Sequence, residues 1–245
     1  MTFRILFDGT VAKHLDAPDD NEDAYRIAQD RGRVVLSDGA SESFDASSWA
    51  NLVVDQFLGS DPSDEQLGLC IQAYGLLHDP QTLSWSKAAA YERGSFATLV
   101  IAQNDHDRKT VTVTTLGDSL VAWCNENGEI ETVPYVCADQ FTEKPTLLAT
   151  RSALNAEVAI GDQGPWSQRE WSYDQQEACL LLCMTDALGA WLLHRQEQGY
   201  SDAFERLSGI RDQQAFLELV EEERASGAMR RDDTTLIIVT LNSLT

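Results

Sequence analysis

The sequence predicts an α+β fold, with antiparallel sheets stacked as a central β-sandwich and helices on both outer faces. Three observations carry this. Strand-like runs come in groups separated by groups of helical stretches, without the strict alternation that builds a parallel sheet. Two of the runs, Leu120–Asn125 and Ile130–Val133, are joined through Asn125-Glu126-Asn127-Gly128, a hairpin signal. And 245 residues, 43% of them hydrophobic, suffice for a substantial core in one domain spanning 1–245.

In chain order, short strand-like runs cover Phe3–Phe7, Ala24–Ala28 and Arg33–Ser37. Helical stretches follow at Phe44–Leu58, Asp64–His78 and Ser84–Glu92; the first repeats Trp49, Val53 and Phe57 four apart, on one helix face. Strands resume at Ser95–Ala102, Thr110–Leu116, Leu120–Asn125 and Ile130–Val133. From Cys137 to Ser172 the periodicity is lost and Pro, Gly and Gln accumulate, which marks a candidate surface flap. The chain then reads as strand Ala178–Thr185, helices Leu188–Gln198 and Asp212–Ala225, and strand Thr234–Leu241. Trp49, Trp85 and Trp191 lie at helical spacing with other apolar residues and are expected in the core. His78, His106 and His194 show no ligand spacing and are expected at surface or helix positions.

Charge narrows the function classes. With 18 basic against 40 acidic side chains the formal net charge is −22, and so acidic a surface repels phosphate backbones. Nucleic acid and anionic membrane are therefore excluded as partners. There is no run of eighteen apolar residues, and the opening MTFRILFDGT has neither a long apolar stretch nor a small-residue cleavage site, so a cytoplasmic location is expected. Five cysteines show no disulfide spacing. Cys179 and Cys183, four apart on one strand, stand about 13 Å apart along it, too far to share a zinc.

Several strands run into an Asp. Val34-Val35-Leu36-Ser37 leads to Asp38-Gly39, Thr114-Thr115-Leu116-Gly117 to Asp118, and Leu181-Leu182-Cys183-Met184-Thr185 to Asp186; Asp232-Asp233 stands just before the last strand. Singly, each suits a turn or a cap. Together they would gather carboxylates at one sheet edge. Four carboxylates without Lys or Arg partners repel strongly unless something cationic sits among them. Hard oxygen donors select Mg²⁺ or Mn²⁺ over zinc, and two such ions can acidify a shared water for attack on phosphorus. No G-x-S-x-G elbow, P-loop or Cys in an Arg-rich cradle offers a rival chemistry.

These segments have a family likeness. Asn21-Glu22-Asp23-Ala24 and Leu36-Ser37-Asp38-Gly39-Ala40 resemble the opening motifs of the type 2C metal-dependent serine/threonine protein phosphatases of bacterial type. Gly94-Ser95-Phe96-Ala97-Thr98, Leu116-Gly117-Asp118-Ser119, Leu182-Cys183-Met184-Thr185-Asp186 and Asp232-Asp233-Thr234-Thr235-Leu236-Ile237-Ile238-Val239 are similar, in order, to later ones, and together they span Asn21–Leu241. The resemblance implies a four-layer αββα fold with helix pairs on both faces of the sandwich, and Cys137–Ser172 falls where the family has its flap. It implies hydrolysis of phosphoserine or phosphothreonine on proteins by a hydroxide bridging two Mn²⁺ or Mg²⁺ ions. By position, Asp38 would bridge both ions, the Gly39 carbonyl would bind one, Asp186 and Asp232 would complete the other, and Glu22, Asp23 and Asp118 would hold waters around them. The implied partner is a phosphoprotein, a serine/threonine kinase or its target.

Departures from the family pattern bear on substrate capture and metal count. The arginine that clamps phosphate four residues before the family's glutamate is Pro18 here, leaving Lys13 and His14 as candidate phosphate ligands. The glycine after the third metal aspartate is Ala187. An Asp four residues beyond that aspartate, which helps to hold a third ion in bacterial relatives, is Ala190, and this puts a third site in doubt. These losses also suit a second function class, a pseudophosphatase that binds phosphoproteins or a kinase without turnover.

Overall fold

The protein is described by a computed structural model over residues 2–156, 158, 164–173 and 178–242. Two five-stranded antiparallel sheets stack face to face. One sheet is ordered β1 (Thr2–Val11), β12 (Thr234–Asn242), β11 (Cys179–Met184), β7 (Leu120–Cys124), β8 (Ile130–Val133). The other is ordered β10 (Ser167–Ser172), β6 (Thr110–Leu116), β5 (Leu99–Asp105), β3 (Arg33–Asp38), β2 (Asp23–Ala28). A two-residue pairing joins β4 (Phe96–Ala97) to β9 (Leu148–Ala149).

Alternation along each strand splits the apolar residues between two layers. Cys179, Leu181 and Cys183 face the other sheet with Val34, Leu36, Val111, Val113, Ile237 and Val239. Leu182 and Met184 instead meet α4 (Asp186–Glu197), α5 (Ala203–Ser208) and α6 (Gln213–Ala225) through Leu188, Trp191, Leu207 and Phe216. On the far side Val35, Leu99 and Ile101 pack on α1 (Ala46–Gly59) and α2 (Asp64–Leu77) through Trp49, Val53, Phe57 and Cys70. The order is helix, sheet, sheet, helix, as expected. Some of the acidic excess serves as caps: Asp45 opens α1 by accepting from Ser48 N at 3.1 Å, and Asp212 opens α6 by accepting from Ala215 N at 2.9 Å.

Three expectations are corrected. Beta1 extends well past Phe7, and a bulge between Ile5 and Phe7 changes its facing. Phe3 lies in the inter-sheet layer, whereas Phe7 and Val11 lie with the helices, which a strict two-residue period does not predict. Cys137–Ser172 is not irregular throughout: its last six residues form β10, an edge strand that reads as polar because only Trp171 is buried. Residues 157 and 159–163 of that expected flap lie outside the described residues. Trp85 is 88% exposed, because α3 (Trp85–Arg93) docks through Tyr91 instead. His78 sits at the C-terminal end of α2, a helix position as expected, and its ring packs 4.9 Å from those of Phe44 and Tyr74, with Nε2 3.1 Å from Asp45 Oδ2. All five cysteines are free, and among the described residues no helix is long and apolar enough to cross a membrane.

Candidate active site

Antiparallel register brings the strand-end aspartates to one edge of the sandwich. Asp38 closes β3 directly opposite Asp23, which opens β2. Asp118 lies in the turn between β6 and β7, which crosses from one sheet to the other. Asp186 begins α4 immediately after β11, and Asp232 and Asp233 lead into β12, whose start pairs with the ends of β1 and β11 (Thr234 with Val11, Leu236 with Met184). Ala187 is helical, so no glycine is needed there.

The Asp38 turn is fixed from behind. Thr98 N donates to the Asp38 carbonyl at 2.9 Å, Asp38 N donates to Thr98 Oγ1 at 2.9 Å, and Thr98 Oγ1 lies 2.8 Å from Ser119 Oγ beside Asp118. Gly39 is required by close approach: a Cβ there would stand 2.8 Å from the carbonyl oxygens of both Ala46 and Glu22. Gly117, ahead of Asp118, has φ of +96°.

Asp23 ties the two sheets together at this edge. Its Oδ2 accepts from Thr235 Oγ1 at 2.7 Å and from Thr185 Oγ1 at 3.1 Å, while its Oδ1 is buried with no hydrogen-bond partner. Burial pushes its pKa up to about 7; the charges of Asp233 and Asp232 add to this, and the two threonine bonds oppose it. Asp38 is raised well above the ordinary carboxylate range, first by burial and then by the charges of Asp23, Asp118 and Asp232. Asp118 is raised by burial as well, with its backbone hydrogen bond and Arg230 pulling the other way.

The expectation of carboxylates without a basic partner is overturned by Arg230. Its guanidinium pairs with Asp186 and lies 3.6 Å from Asp232 Oδ2, and its charge opposes the upward shifts of Asp38 and Asp118. It stands two residues before Asp232 in a sequence run that read only as the approach to a strand. Asp233, also unassigned from sequence, is buried and structural: Oδ1 accepts from Lys13 N at 2.7 Å and Oδ2 from Glu22 N at 2.9 Å. Two backbone donors need two acceptor oxygens, which a carboxylate supplies. Arg224 braces the same loop from α6, donating to the carbonyls of Ala12, at 3.0 Å, and Asp232.

Glu22 accepts from Ser41 Oγ and, at 3.1 Å, from Lys13 Nζ, which also donates to Ser41 Oγ at 2.8 Å. Burial opposes the charge on Lys13, but the bond to Glu22 and the charges of Glu22, Asp233 and Asp232 raise its pKa overall. His14 next to it is exposed, and Pro18 opens a short 3-10 turn on the same loop.

No protein-family profile matches the chain, and no curated protein matches it by sequence. Solved structures do match. The serine/threonine phosphatase PstP/Ppp of Mycobacterium tuberculosis has a TM-score of 0.63 at 14% identity, covering 99% of this chain and 100% of its own. A bacterial serine phosphatase gives 0.61 at 16% identity over 100% and 99%, and the serine/threonine phosphatase Stp1 from Staphylococcus aureus gives 0.60 at 17% over 99% and 96%. The chain has the type 2C phosphatase fold.

The type 2C fold implies divalent ions, and the donor chemistry here suits them. The gathered groups are all carboxylates, burial and neighbouring acidic charge raise Asp23, Asp38 and Asp118, and Asp23 keeps one buried oxygen without a partner. Among the described residues, however, no three acidic, His or Cys side chains close on a common point. Arg230 takes up the charge of two of them instead.

Proposed function

We propose that the protein hydrolyses phosphoserine or phosphothreonine on proteins in the cytoplasm, in a reaction dependent on Mn²⁺ or Mg²⁺, with a kinase or a kinase target as substrate. The observation that supports this most directly is the meeting of Asp23, Asp38, Asp118, Asp186 and Asp232 at one edge of a type 2C fold.

In this reading Asp38, the Gly39 carbonyl, Asp186 and Asp232 hold two ions, and Glu22, Asp23 and Asp118 hold the surrounding waters. The ions, when bound, supply Lewis acidity and acidify a water. The chain's own part is positioning. Thr98 locks Asp38 through its backbone on both sides, and Thr185 and Thr235 hold one Asp23 oxygen, leaving the other as an acceptor for a water proton. Lys13 adds a positive point charge at the rim, with His14 beside it.

The test is hydrolysis of a small aryl phosphate, expected with Mn²⁺ or Mg²⁺ and abolished by excess chelator. Asp38→Asn should keep its circular dichroism yet fall below about a tenth of the wild-type kcat. Full turnover in chelator, or an Asp38→Asn enzyme above that level, would overturn the two-ion reading. Binding of a phosphopeptide with no turnover in any metal would establish the pseudophosphatase instead.

A further inference from the structure

A phosphate dianion approaching this edge meets five carboxylates, so something must both attract it and orient it. Lys13 attracts but is held by Glu22 and Ser41, and an ammonium does not fix orientation. Among the described residues, Arg230 is the guanidinium paired with Asp186 and Asp232 themselves, and its side chain is 46% exposed. Such exposure lets it leave the carboxylates without being stripped of water, since half of it is already solvated. A guanidinium presents a planar fork that grips a phosphate through two parallel hydrogen bonds.

The carboxylates Arg230 pairs with are the ones assigned above to an ion. A divalent ion carries twice the charge of the guanidinium and competes for the same oxygen lone pairs. If ions neutralised Asp186 and Asp232, the pull holding Arg230 on them would weaken, and a substrate phosphate would compete with Asp118 for its guanidinium.

We propose that Arg230 is the phosphate-binding residue of this site, held on Asp186 and Asp232 until divalent ions displace it. This rests on the phosphatase reading and adds to it a substrate contact that has moved from the loop bearing Pro18 to the loop before β12. It makes two linked statements: Arg230 weakens ion binding, and it strengthens phosphate binding. By reciprocity the loaded protein should hold phosphate more tightly than the unloaded one.

Titration calorimetry on wild type, Arg230→Met and Arg230→Lys separates them, with Mn²⁺ alone as the first titrant and inorganic phosphate into Mn²⁺-loaded protein as the second. Arg230→Met should bind Mn²⁺ about 10-fold more tightly and phosphate about 10-fold more weakly. Arg230→Lys, which keeps the charge but not the fork, should restore the wild-type Mn²⁺ affinity and recover phosphate binding only in part. Thermal melts in chelator establish that each variant is folded. If wild type and Arg230→Met bind Mn²⁺ equally, or bind phosphate equally, the role of Arg230 is overturned while the phosphatase reading stands. If no variant takes up Mn²⁺, both fall together.

Discussion

At Asp23 burial and hydrogen bonding pull against each other. Its folded pKa of about 7 stands above the ordinary 3.8, so between these values the folded chain binds more protons than the unfolded one. Stability from this group is complete below about pH 4 and is lost as pH rises through 7, the reverse of a salt-bridged carboxylate. In chelator, wild type should therefore lose roughly 1–3 kcal/mol relative to Asp23→Asn between pH 5 and 7.5, read from paired thermal melts. A gap that widens in favour of wild type with rising pH would contradict the assignment. The aspartates themselves were legible because each adjoins an apolar β run. Arg230 and Asp233 were not, since their partners lie on other elements and no local period points to them.

Among the elements, the junction of β2, β3 and α1 has little slack. A Cβ on Gly39 would meet two backbone carbonyl oxygens, neither of which can rotate away as a side-chain end could. Gly39→Ala should cost about 2 kcal/mol or more, seen as a lower denaturant midpoint, and should reduce turnover because Asp38 shifts with its neighbour. Gly75, on the exposed face of α2, has nothing within 4 Å, and Gly75→Ala should stabilise by up to about 1 kcal/mol. A destabilised Gly75→Ala would show that helix propensity does not govern that site. The helices and most strands were readable from their periods. What escaped were the polar edge strand β10, α5, whose six residues are too short to show a helical period, and the far part of β1, where a bulge swaps its faces.

Across the whole molecule, a net charge of −22 works against compactness at low ionic strength. Raising NaCl from about 10 to 300 mM shortens the screening length from about 30 Å to below 10 Å, so the melting temperature in chelator should rise by several degrees. A fall would mean that favourable ion pairs outweigh the repulsion. At matched ionic strength Mg²⁺ should add a further increment in wild type that Asp38→Asn lacks. The sequence by itself determined the αββα class and the strand-end position of four carboxylates, because hydrophobic period and an adjacent Asp are both local properties of the chain. Only the tertiary structure decided which cation answers those carboxylates, that Asp23 joins the sheets through Thr185 and Thr235, and that Lys13 is spent on Glu22. Those pairings depend on where distant segments close on one another and how far a side chain reaches, and linear order encodes neither.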